Sequence, residues 1–89
     1  MVVRDVSGSW HIWIYGIGSL QEMSKFAFKL RLYNTGVVTE FSYTGVVVSV
    51  DKSVDDVIAD GDGFVVTDAG VKKLRKTDEF LYEVSVTQL

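Results

Sequence analysis

From Lys25 to Tyr33 every second residue is large and apolar. In an extended chain Phe26, Phe28, Leu30 and Leu32 point one way, and Lys25, Ala27, Lys29 and Arg31 point the other. A helix reading starts from the capping-box signature Ser19, Leu20, Gln21, Glu22, but it turns Phe28 and Leu32 to solvent. The alternation predicts a strand over 25–33, and residues 19–24 contract to a loop or a single helical turn. A second alternating stretch, 37–43, follows Asn34, Thr35 and Gly36. A loop over 33–36 sets Leu32 against Val37, Leu30 against Thr39, Phe28 against Phe41 and Phe26 against Tyr43, with Lys29 meeting Glu40 on the polar face. A shorter loop of the same parity would force the β-branched Thr35 to positive φ. A turn at Thr44 and Gly45 then adds 46–50 as a third strand, Val46, Val48 and Val50 on the apolar face and Val47 and Ser49 on the polar one. A bulge at Gly45 inside one long strand would keep the same parity.

Beyond residue 50 the period changes. Ser53 suits a helix N-cap, Asp55 and Asp56 suit a first turn, and Val54, Val57 and Ile58 form a stripe, so 53–59 reads as a helix. The Asp60-Gly61-Asp62-Gly63 run ends it. Residues 64–67 read as a short strand. Thr67 or Asp68 caps a second helix over 68–76 with Val71 and Leu74 inward. The last strand, 79–87, sets Phe80, Tyr82, Val84 and Val86 inward and Leu81 outward. Strands over 9–15, and at 2–6 in an optional form, precede the rest. The pattern predicts an α+β fold in a single domain, 1–89. Its mainly antiparallel sheet combines a meander over 25–50 with N- and C-terminal strands and two short helices. A partly open OB-type barrel also places three strands before a helix, and the second helix departs from it.

One strand breaks the rule of a single apolar face. Trp10, Ile12 and Ile14 lie on one side of 9–15, and His11, Trp13 and Tyr15 on the other. Either both sides are covered, or His11, Trp13 and Tyr15 form an exposed shelf beside Lys29 and Arg31, suited to protein recognition or base stacking.

Composition narrows the chemistry. The chain has no cysteine, so disulfides, thiolate metal sites and thiol nucleophiles are excluded together. Its net charge of −3 gives no general attraction to nucleic acid or an anionic membrane. No apolar run is long enough to span a bilayer and no signal-peptide pattern opens the chain, which favours an intracellular, cytoplasmic setting. Gly16 and Gly18 resemble the start of a dinucleotide fingerprint, but Gln21 stands where its third glycine belongs. An EF-hand frame around Gly63 puts Ile58 and Ala69 at ligand positions. The acidic run is explained by caps and turns, and the Lys72, Lys73, Arg75, Lys76 cluster by a solvated helix end. Ser9 and His11 share a strand face, but no third partner or oxyanion loop is recognisable.

The expectation is a non-catalytic interaction module without cofactor or metal. It would bind another protein, or a second copy of itself as a homodimer, through His11, Trp13, Tyr15, Lys29 and Arg31. Single-stranded nucleic-acid binding on an OB-like sheet is the first alternative, disfavoured by the acidic isoelectric point. A small enzyme using carboxylates is the second.

Overall fold

The computed structural model describes residues 1–75 and 79–89. Among them the chain runs β1 (Val2–Val6), β2 (Ser9–Trp13), β3 (Tyr15–Gly16), α1 (Leu20–Met23), β4 (Phe26–Tyr33), β5 (Phe41–Val46), β6 (Val48–Ser49), α2 (Val54–Asp60), β7 (Phe64–Thr67), α3 (Asp68–Leu74) and β8 (Leu81–Gln88). The architecture is α+β. Among the described residues two antiparallel sheets, ordered β1-β2-β7 and β5-β4-β8, are joined by a short parallel pair, β3-β6, and no barrel closes.

Local chemistry sets the helix ends. The capping box at α1 is formed: Ser19 Oγ accepts from the Glu22 N–H at 3.1 Å, and Glu22 Oε1 accepts from the Ser19 N–H. Ser53 caps α2, and Gly61 ends it at φ +69°, in the left-handed region glycine enters without a Cβ clash. Thr67 caps α3 by accepting from the Gly70 N–H. The predicted helix over 68–76 ends at Leu74, and Lys76 lies outside the described residues.

The main core joins the two antiparallel sheets. Phe28, Leu30 and Leu32 on β4 are each 1% exposed and belong to one cluster with Ile12, Val66 and the α3 residues Val71 and Leu74. Burying each such side chain contributes roughly 2 kcal/mol before conformational entropy is counted. A second cluster sets Trp13 and Val48 against Val57 of α2. β2 is therefore covered on both faces, at Trp10 and Ile12 by the main core and at Trp13 by α2.

Several predicted details differ. The strand over 9–15 splits at Ile14, whose carbonyl accepts the Val48 N–H at 2.9 Å. The β4–β5 register sets Leu32 against Phe41, Leu30 against Tyr43 and Phe28 against Gly45, four residues from the tight-loop register. A shift by an even number leaves both faces unchanged, so alternation cannot choose between the two. Tertiary contacts do. Tyr43 stacks on Phe64 at 5.5 Å and packs on Phe28 at 5.7 Å, with its ring in the space a Cβ on Gly45 would fill. Glu40 accordingly meets Arg31 rather than Lys29.

Residues 46–50 do not fold back on β5. The Val47 N–H donates to Phe26, and β6 then pairs with β3. Val47 enters the main core and Val48 the second cluster, while Val46 and Val50 are exposed. A strand passing between two cores buries neighbouring residues on opposite sides, which an alternating one-face reading misses. Ser49, expected on the polar face, is buried. Its hydroxyl donates to the Gly18 carbonyl at 2.5 Å and accepts from the Asp51 N–H.

The last strand carries the largest difference. Phe80 packs against the main core as expected. Tyr82, Val84 and Val86 lie opposite Leu32, Leu30 and Phe28, on the same sheet face, yet expose 56%, 36% and 55% of their surface. The cover over this face stops between β4 and β8.

Candidate functional site

The five residues expected to form one shelf are placed in three different settings. Trp13 has no exposed surface and packs edge-on to Tyr15 at 5.7 Å beneath α2. Tyr15 is half-buried on β3, and its hydroxyl donates to the Lys52 carbonyl at 2.9 Å. His11 pairs with Arg4 and Val65 in the first sheet, and its Nδ1 is buried without a hydrogen-bond partner. Lys29 and Arg31 lie on β4, on the outer face of the second sheet. The shelf is not assembled, because α2 covers the face on which it depended.

On that outer face Arg31 is occupied. Its guanidinium meets Glu40 at 2.7 Å and Glu83 at 3.3 Å, and it lies 4.0 Å over the Tyr33 ring. The bond to Glu40 raises the guanidinium further above its ordinary range, and Glu83 raises the Tyr33 phenol in turn. Lys29 is exposed and makes no ion pair among the described residues. A shallow hollow beside it is lined by Arg31, Glu83 and Ser85.

A larger hollow of about 400 Å³ is lined by Leu20, Tyr43, Val48, Ser49, Lys52 and Asp62, among others. Its cation is also satisfied: Lys52 Nζ lies 2.6 Å from both Asp60 and Asp62. Those carboxylates hold the ammonium well above the usual lysine range, so it is no base at neutral pH. Among the described residues no three His, Asp or Glu side chains converge to hold a metal. None of the described helices is long and apolar enough to cross a membrane.

The open feature is the edge formed by β8. Its inner neighbour is β4, and among the described residues no strand lies beyond it. The Leu89 N–H donates to the Lys25 carbonyl at 2.7 Å, so in this register the odd residues of β8 bond inward. The N–H and C=O groups of Tyr82, Val84 and Val86 therefore point out of the open edge. Over Leu81–Gln88 the strand carries a single charge, Glu83, and no proline or bulge. Those are the devices that normally blunt an edge. The exposed apolar face continues at Val86 into a hollow lined by Ile14, Ile17, Met23 and Phe26. The alternation over 79–87 identifies these side chains, but it cannot say that no cover reaches them.

Comparison with protein-family models, with curated proteins and with solved structures returned no match.

Proposed function

We propose that this chain is a non-catalytic interaction module that takes an extended strand of a protein partner onto the open edge of β8. One observation carries the reading. An eight-residue edge strand presents the apolar side chains Tyr82, Val84 and Val86 on the core-facing side of its sheet, yet all eight residues are exposed. A strand added there gains main-chain hydrogen bonds at Tyr82, Val84 and Val86, and it buries apolar area against the same residues. The expected role, association with another protein, is kept. Its surface moves from the Trp13 shelf to β8, because Trp13 is already covered.

The outer sheet face gives little support to nucleic-acid binding. Arg31 is held by two carboxylates, and the Tyr33 ring beside it is covered by the guanidinium.

The test is titration of the isotopically labelled chain, at a dilution where sedimentation shows monomer, with a synthetic peptide of sequence LYEVSVTQ, read by amide NMR. Strand addition shifts the amides of Tyr82, Val84 and Val86 most and leaves those of β1 and β7 in place. Unchanged β8 amides at millimolar peptide would overturn the reading.

A further inference from the structure

Resting on that reading, we infer that the strand accepted at this edge is β8 of a second copy of the same chain. The two would be antiparallel about a two-fold axis at Val84. Three independent complementarities select this occupant and this register.

The backbone comes first. Only Tyr82, Val84 and Val86 direct their N–H and C=O groups outward in the middle of the strand. An antiparallel partner must match outward residues with outward residues. Pairing Val84 with its own counterpart does this, sets Tyr82 against the partner's Val86 at both ends, and uses the whole strand.

The side chains agree. Each Tyr82 and Val86 pair places an aromatic ring beside a β-branched residue on the apolar face, a favourable cross-strand combination. The incoming ring lands at the rim of the apolar hollow that Val86 shares with Ile14 and Met23.

Charge then discriminates between registers. With Val84 on the axis, Glu83 faces the partner's Ser85, and Lys29 lies on the far side of that serine because Lys29 pairs with Ser85 within each chain. Two strand spacings separate the lysine and glutamate Cβ atoms, about 10 Å, which these two side chains bridge over a small serine. Each copy thus offers an exposed cation to the other's Glu83, which within its own chain also meets Arg31 at 3.3 Å. Sliding by one pair in one direction sets Glu83 against Glu83, a like-charge contact. Sliding in the other puts Glu83 beyond reach of Lys29, next to Thr87 and Ala27.

The experiment is sedimentation equilibrium of the full chain over a concentration series, paired with single-cysteine cross-linking. The chain has no cysteine of its own, so one introduced thiol reports one site. The wild type is expected to approach twice its 9.9 kDa mass as concentration rises. Val84→Cys is expected to oxidise to a covalent dimer, since facing residues of such a pair lie about 5.5 Å apart at Cα, within disulfide reach. Val46→Cys, on the opposite edge strand, is expected to form no covalent dimer. Val84→Lys puts two cations at the axis and is expected to weaken the dimer by about tenfold or more. Lys29→Glu is expected to weaken it less, and added salt, which weakens the wild-type dimer, is expected to strengthen that of the variant. Since both side chains are exposed, far-UV circular dichroism should show each variant folded. A monomer at all concentrations, or a dimer in which Val46→Cys cross-links and Val84→Cys does not, overturns the inference. If the wild type is monomeric and the LYEVSVTQ peptide still adds at β8, the second copy is the wrong occupant and the edge reading stands. If neither associates, both fail.

Discussion

Gly61 and Gly63 stand two residues apart and both hold positive φ, but for different reasons. Gly61 closes α2 at φ +69°, and a Cβ built on it would meet nothing within 4 Å. Gly63, at φ +87°, lies against β2, and its Cβ would fall 2.5 Å from the Ile12 carbonyl oxygen and 2.9 Å from Trp13 Cβ. Gly61→Ala therefore costs only the left-handed conformation, about 1 kcal/mol, whereas Gly63→Ala adds a clash with backbone and is expected to cost roughly 3 kcal/mol. Denaturant unfolding of the two variants checks the difference, and equal costs would contradict the close packing of 62–63 on β2. The sequence marks both glycines as helix breakers. It cannot show that Gly63 lets the chain press against Trp13, because that neighbour is about fifty residues away in the chain. Trp13 follows the same logic. Its side of 9–15 is legible as apolar, and burial under α2 is one of the two outcomes that pattern allows. Choosing between them requires knowing where Val57 packs.

At the scale of elements, alternation and capping rules predict the strand over 25–33, both longer helices and the Ser19 turn. They fail where a strand's surroundings are not one core and one solvent. β6 runs between two clusters, and β8 is only partly covered on its apolar face, so the same period has different meanings in the two places. The long loop over 34–40 is likewise set from outside. The Asn34 side-chain amide donates to the Leu74 carbonyl at 2.9 Å and the Glu79 carbonyl at 2.7 Å, tying the hairpin to the end of α3. The α2 region carries its own electrostatic clamp in Lys52 with Asp60 and Asp62. Because the folded chain raises the ammonium above its ordinary 10.5, the clamp's contribution is complete below that pH. It is lost as pH rises through the folded-state value. The stability difference between wild type and Lys52→Met is therefore expected to hold steady from about pH 7 to about pH 10 and to shrink at higher pH. A difference that widens in that alkaline range would contradict the clamp.

The whole molecule is a flattened body of 40 × 28 × 14 Å, closed by its core at one edge of the β4 sheet and left open at the other. β5 is an edge strand too, but its inward residues Phe41 and Tyr43 pack on Phe64, so its apolar face is satisfied. β8 combines an open backbone edge with three successive exposed side chains, Tyr82, Val84 and Val86, on its apolar face. Amide hydrogen exchange along β8, at a dilution where sedimentation shows monomer, tests this asymmetry most directly. Glu83, Ser85 and Thr87 donate inward and are expected to exchange slowly, while Tyr82, Val84 and Val86 exchange at nearly the rate of unstructured peptide. Slow exchange at all six positions in a proven monomer would mean the edge is already closed by the chain itself, and the account would be wrong.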